Sequence, residues 1–258
     1  MACAIIGGLL AQGHPASQIQ VVEPLEAARV AIHQRFDISA AAQASAPLAQ
    51  AQLVVWAIKP QTFQEAANAT AAHTSQALHL SVAAGITTHS IARWLKSERI
   101  ARAMPNTPAL IGQGMTGLFA RPQISSEGRA LIEQIAATTG QYLWVEEEAQ
   151  LDAVTALSGS GPAYVFLLLE AMMDAGSAMG LTRQQAHHLA VATFQGAAQL
   201  AAQSDETPET LRQRVTSKGG TTHAAISHMQ DCRIPEQFIE ALHKAHARAQ
   251  AMATEFAA

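Results

Sequence analysis

Charge is scarce in this chain. Of 258 residues, 14% are Asp, Glu, Lys or Arg, and the net charge is −4. That excludes the broad basic face by which nucleic-acid binders hold phosphates. Cysteine is scarcer still. Cys3 and Cys232 stand far apart and form neither a disulfide framework nor a metal knuckle, which fits a reducing compartment, the cytoplasm. No Lys or Arg precedes Arg29, so the apolar start lacks the basic n-region of a signal peptide and reads as a helix over 2–12. The eleven histidines form no ligand set. His187 and His188 are adjacent and diverge on a helix; His243 and His246 share a face without a third ligand. No resident metal is expected. No Gly-x-Ser-x-Gly elbow occurs, because Ser158-Gly-Ser-Gly is not that motif and runs into a proline.

What is there in quantity is apolar, 49% of the chain, enough for a sizeable core. Leu157-Ser-Gly-Ser-Gly-Pro-Ala-Tyr164 divides it. Its small and cap-forming residues read as a sharp stop, with Pro162 in the first turn of a new helix. The run that follows, to Gly180, is too apolar for an ordinary surface helix and too short to span a bilayer. It reads as a buried or interface helix, and no membrane partner is expected.

Before the divide, strands and helices alternate. Strands are predicted over 18–23, 53–58, 77–83, 99–104, 115–120 and 141–145. Helices are predicted over 25–36, 62–73, 89–95 and 125–138, with another short one within 38–50. The continuous apolar run Leu-Val-Val-Trp-Ala-Ile over 53–58 suits a parallel strand covered on both faces. Gly7 and Gly8, inside the first helix, suit close packing against a strand. After the divide only helices are predicted, over 182–203, 208–215, 221–229 and 234–256. The fold class is therefore an α/β doubly wound, Rossmann-type domain over 1–150 and an all-α domain over 151–258. One part is missing. A dinucleotide fold opens with a strand and a Gly-rich turn, and this sequence opens at the helix. Two explanations stand: the sequence lacks its true beginning, or it is a short form that binds cofactor poorly.

Four stretches offer chemistry, each beside a plainer reading. Lys59-Pro60 ends an apolar strand, where ligand crevices of open sheets lie; it equally serves as a strand terminator. Val82-Ala83-Ala84-Gly85 would let a flat ring approach the backbone, or is a tight turn. Met104-Pro-Asn-Thr-Pro108 presents an amide and a hydroxyl, or is a proline-bracketed turn with an Asx-type bond at Asn106. Val215-Thr-Ser-Lys-Gly-Gly-Thr-Thr222 sets hydroxyls around two glycines just before a helix. Such a turn forms an anion nest suited to a carboxylate, or carries Thr221 or Thr222 as an ordinary N-cap.

Together these segments resemble pyrroline-5-carboxylate reductase, which closes proline biosynthesis. The specific pieces are Leu157-Ser-Gly-Ser-Gly-Pro-Ala-Tyr164 and Thr216-Ser-Lys-Gly-Gly-Thr-Thr222, and the likeness covers nearly the whole chain. The resemblance implies an oxidoreductase that passes a hydride from NADPH or NADH to the C=N bond of 1-pyrroline-5-carboxylate. It also implies helical domains that intertwine into a homodimer or larger homo-oligomer. It puts Met1, Ala2, Ala57, Ile58, Lys59, Pro60, Ala83 and Ala84 at the cofactor. It puts Glu148, Ser217, Gly219, Gly220, Thr221 and Thr222 at the substrate, with Thr222 on the ring nitrogen. Glu23 ends the predicted strand 18–23, where family members often place a small hydroxyl residue; Lys218 replaces a common proline. A carboxylate at position 23 favours a ribose 2′-OH over a 2′-phosphate, so a weakened NADPH preference is expected. A β-hydroxy acid dehydrogenase and a non-catalytic oligomerising remnant remain as alternatives.

Overall fold

The alternation forms one five-stranded sheet in the order β1-β2-β3-β4-β5, from Leu53–Trp56, Leu78–Ser81, Ile100–Met104, Gly114–Ala120 and Gly140–Trp144. The computed structural model describes residues 1–256. Helices α1 (Ala2–Ala11), α2 (Glu26–Phe36), α3 (Pro60–Thr70), α4 (Thr88–Leu95) and α5 (Ser126–Ala137) belong to this half. Period-two patterning sorts the core. Leu78, Leu80, Ala101, Ala103 and Leu118 pack with Ile132 and Ala136 of α5. Trp56 and Ile100 pack with Phe63 of α3 and with Ile91 and Trp94 of α4. The sheet is thus covered on both faces, as the α/β Rossmann-type reading requires.

Four expectations change. First, β3 and β4 are antiparallel. The connection between them holds only a 3-10 turn, Thr107–Ile111, and a parallel return needs a full crossover. Second, 18–23 is not a strand. Its ladder is a single bridge, Val22 to Ala41, closed by bonds from Ala41 N to Val21 O and from Glu23 N to Ala41 O, each 2.8 Å. Third, β1 is a sheet edge, and Leu53, Val54 and Val55 are only half-buried. Fourth, Gly8 packs on a helix end rather than a strand: a Cβ there would stand 2.4 Å from the Thr138 carbonyl oxygen behind α5.

The stretch 157–164 does not stop the helix. Helix α6 (Gln150–Val154) continues through one π turn, Thr155–Gly159, into α7 (Gly161–Ala178). Ser160 N reaches back to Thr155 O at 2.9 Å, the wider spacing of a π turn. Pro162 brings no N–H for the Ser158 carbonyl. That carbonyl accepts instead from the Asn106 side-chain amide at 3.4 Å, and Ser158 Oγ accepts from it at 3.2 Å. Gly159 lets Met104 come close; a Cβ would stand 2.6 Å from Met104 Cε. The continuous helix Gln150–Ala178 has 29 residues, long and apolar enough by length and composition to cross a membrane, so the length argument from the sequence fails.

The rest is α8 (Arg183–Gln203), α9 (Pro208–Arg214), α10 (Thr221–Asp231) and α11 (Ile234–Glu255). Thr182 caps α8 in a full capping box with Gln185. Packing divides the chain into two units: Met1–Pro162 with the chain from Ala245 on, and Ala163–Lys244. The sequence puts the boundary at 150/151; the packing puts it after Pro162 and returns the end of α11 to the first unit.

Candidate active site

In the first unit, Ala57, Ile58, Lys59 and Pro60 follow the C-terminal end of β1, and Ala83 and Ala84 follow that of β2. Met1 lines a small cavity with Leu80 and Val82 at the end of β2, and with Ala103 and Pro105 at the end of β3. Met1 is the N-cap of α1, and no side chain caps it. The first amides of a helix have no partner within it and carry the positive end of its dipole. A phosphate at Met1 and Ala2 would meet them. After β1 come Ala57 and Ile58, both half-buried, then Lys59 as N-cap of α3 and Pro60 in its first turn. Lys59 is exposed.

The loop after β2 is held at both ends. Val82 N donates to Trp56 O at 3.1 Å, and Ala83 N to Ser81 Oγ at 3.3 Å. Ala83 is buried and Ala84 half-buried. Gly85 has φ +74°, which glycine alone adopts without strain. At the far end Thr87 caps α4 by accepting from Ser90 N.

Glu148, expected on the substrate side, is also part of this anchor. One carboxylate oxygen accepts from Thr88 N at 2.6 Å and from Arg102 at 2.8 Å; the other accepts from Thr88 Oγ1 at 2.5 Å. Both oxygens are committed inside the first unit, because buried Arg102 on β3 needs a counter-ion. Sequence reasoning missed Arg102 and Thr88. A charged residue in an otherwise apolar strand was their one signal. Asp152, one turn beyond Glu148, is pushed up by burial, against the pull of Arg102 and His246 and with a further push from Glu148.

Glu23 is engaged as well. Its carboxylate accepts from Leu25 N at 2.8 Å. Arg29 lies at the same place, donating to the Glu23 carbonyl at 3.0 Å and the Pro24 carbonyl at 2.7 Å. Asn106 makes no Asx turn. Its carbonyl accepts from Met115 N at 2.9 Å while its amide serves Ser158, so it ties the 105–113 loop to β4 and to the π turn.

In the second unit, 215–222 folds as a tight turn. Gly219 has φ +78°, and Gly220 N donates to Ser217 O at 3.0 Å. A Cβ on Gly220 would stand 2.8 Å from Ser217 Oγ. The N-cap of α10 is Gly220, with no side-chain cap. Neither Thr221 nor Thr222 caps the helix, which removes the plainer reading of this turn. Thr221, Ser217 and Lys218 are exposed; Thr222 is half-buried. The arrangement suits an anion: uncapped amides at the N-terminus of an 11-residue helix, with hydroxyls on either side.

Known proteins carry the same two parts. Residues 148–252 match the family model described as pyrroline-5-carboxylate reductase dimerisation, and residues 1–85 match NADP oxidoreductase, coenzyme F420-dependent. A pyrroline-5-carboxylate reductase of Pseudomonas aeruginosa is 43% identical over 99% of this chain and 94% of its own length. One of Haemophilus influenzae is 39% identical over 99% and 95%. The structure of a pyrroline-5-carboxylate reductase from Coxiella burnetii superposes with a TM-score of 0.90 at 35% identity, covering 97% of this chain and 94% of that one. On this likeness, which runs through both units, the chain belongs to the pyrroline-5-carboxylate reductase family.

Proposed function

We propose that this chain reduces 1-pyrroline-5-carboxylate to proline with a reduced nicotinamide dinucleotide, in the cytoplasm, as a homodimer or larger homo-oligomer. The observation that carries this reading is the uncapped N-terminus of α10, framed by Ser217, Gly219, Gly220, Thr221 and Thr222, in a chain of this family. The substrate is a small ring bearing a carboxylate. Its carboxylate takes the α10 amides, and the two glycines leave room for the ring. The Thr222 hydroxyl holds the ring nitrogen and keeps the C=N carbon electron-poor. Positioning then supplies much of the rate, with little acid–base machinery.

The first unit fits a dinucleotide on two observations. An uncapped helix N-terminus stands at the ends of β2 and β3, and the 83–85 loop is small-sided and held. Met1 and Ala2 serve the pyrophosphate; Ala57, Ile58, Lys59 and Pro60 line the approach; Ala83 and Ala84 face the nicotinamide. When bound, the reduced dinucleotide supplies the hydride. Glu148 contributes through the loop it anchors. Glu23 and Arg29 set opposite preferences at one place: a carboxylate suits a ribose 2′-OH, a guanidinium a 2′-phosphate. Both NADPH and NADH are therefore used, with kcat/KM values within about tenfold, a difference near 1.4 kcal/mol.

The test is oxidation of NADPH and of NADH by the purified chain with 1-pyrroline-5-carboxylate. Turnover with proline as product is expected. A folded oligomer that oxidises neither cofactor overturns the reading.

A further inference from the structure

The loop that would carry the nicotinamide is touched from an unexpected direction. Gly85 presents bare backbone, and the end of α11 packs directly on it. A Cβ at Gly85 would stand 3.0 Å from Met252 Cβ and 3.2 Å from the Phe256 ring. Phe256 also packs against the cluster that includes Ala83 and Ile86. The loop thus has three supports: Ser81 at its start, Glu148 with Arg102 behind its end, and Met252 with Phe256 against its middle. The first two act through hydrogen bonds of fixed length. The third is a packing contact, and its position follows side-chain size.

We propose that Met252 and Phe256 are positioning residues that set how far the 83–85 backbone projects towards the nicotinamide ring. This rests on the reading of Ala83 and Ala84 as the nicotinamide-facing residues. Neither side chain need touch cofactor or substrate. Because glycine leaves no side chain between helix and loop, a change at the Phe256 ring passes straight to the main chain, while Met252 meets the loop through its Cβ and its backbone. A shift of the loop by a fraction of an ångström changes the fit of a flat ring and the approach of its hydride, while the phosphate contacts at Met1 and Ala2 stay as they are.

That asymmetry supplies the test. Two ligands are titrated into the full chain: NADPH, and 2′-phospho-ADP-ribose, which lacks the nicotinamide. Phe256→Ala should weaken NADPH binding and lower kcat, each about five- to tenfold, since small misplacements near reacting atoms are costly. Its affinity for 2′-phospho-ADP-ribose should stay within about twofold of the parent by the same argument. Phe256→Tyr, which keeps the ring, should retain both values. Phe256→Leu is the milder companion should Phe256→Ala fold poorly, and the same selective loss is expected of it. Equal weakening of both ligands, or of neither, overturns the proposal. A parent chain that binds 2′-phospho-ADP-ribose and NADPH but shows no selective loss in the variants refutes the clamp alone. A parent that binds neither refutes the dinucleotide reading itself.

Discussion

The two units solve the problem of burial in opposite ways. The first hides large side chains completely: Phe63, Leu78, Leu80, Ile86, Ile91, Ile100, Leu118 and Ile132 are each under 2% exposed. The second, among its described residues, buries only Gly176, Ala186 and Ala190. Its large apolar groups point outward: Phe166, Leu167 and Leu168 on α7, Leu189 and Leu200 on α8, Phe238 and Ile239 on α11. Within it, Gly176 lets α7 and α8 touch, and Tyr164 meets Phe238 edge-on at 5.8 Å. Those contacts are too few to offset about 1–2 kcal/mol of ordering entropy per residue. Each large side chain covered would add about 1.5–3 kcal/mol. The first unit encloses its own core. The second leaves half a core open, and its match to a family model described as dimerisation supports homo-oligomerisation.

The strongest way to break this comparison is a charge on the outward face. Leu167→Asp should abolish the oligomer in sedimentation, cost much of the helical circular dichroism and remove activity. Trp56, Trp94 and Trp144, the chain's three tryptophans, all lie in the first unit, and their fluorescence should stay native. An active, undissociated Leu167→Asp protein would show that the exposed face is not the interface.

Next comes the division of labour. Thr222→Ala should lower kcat/KM for 1-pyrroline-5-carboxylate by about a hundredfold, the usual cost of losing one well-placed donor, and leave NADPH affinity unchanged. Weakened NADPH binding in this variant would mean that the units do not divide the ligands as proposed.

Two glycines then sharpen the contrast in stability. Gly8→Ala puts a Cβ 2.4 Å from the Thr138 carbonyl oxygen, and Gly176→Ala puts one 2.8 Å from Ala186 Cβ. Each should cost about 1–3 kcal/mol in denaturant titrations. The loss at Gly8 should not depend on protein concentration; the loss at Gly176 should.

The smallest effect belongs to the first unit alone. Buried His79 accepts from Trp56 Nε1 at 3.2 Å. Burial drives its pKa down to about 4, with a further push from Arg99 and a counter-pull from a backbone bond at Thr74. The unfolded imidazole titrates near 6.5, so between these values the unfolded chain binds the extra proton and stability falls as pH drops. Between pH 7.5 and 5.5 the loss is about 1 kcal/mol. His79→Asn should flatten that slope in fluorescence-monitored titrations.

Much of this was legible in the sequence because it is local. Period-two strands, Thr182 before an Ala/Leu helix, and glycines between hydroxyls each state a backbone preference over a few residues. What escaped depends on distant partners. Ser158-Gly-Ser-Gly-Pro reads as a break, yet the helix continues, because Asn106 satisfies the carbonyl that Pro162 leaves open. Residues 18–23 have strand composition, but among the described residues their one β-bridge is Val22 to Ala41. That Glu148 anchors Thr88, 60 residues away, through both its oxygens has no local signal. The Thr221 and Thr222 hydroxyls look like caps, and only the backbone shows that Gly220 holds that position.

On the proposed function, the dinucleotide belongs to the unit that encloses its own core, and the substrate to the unit that a second copy of this chain completes. Specific activity and NADPH affinity, each measured across a dilution series that spans the oligomer's dissociation, test it together. Activity should fall with the oligomer while NADPH affinity holds. Constant specific activity in a chain that sediments as monomer would contradict the account.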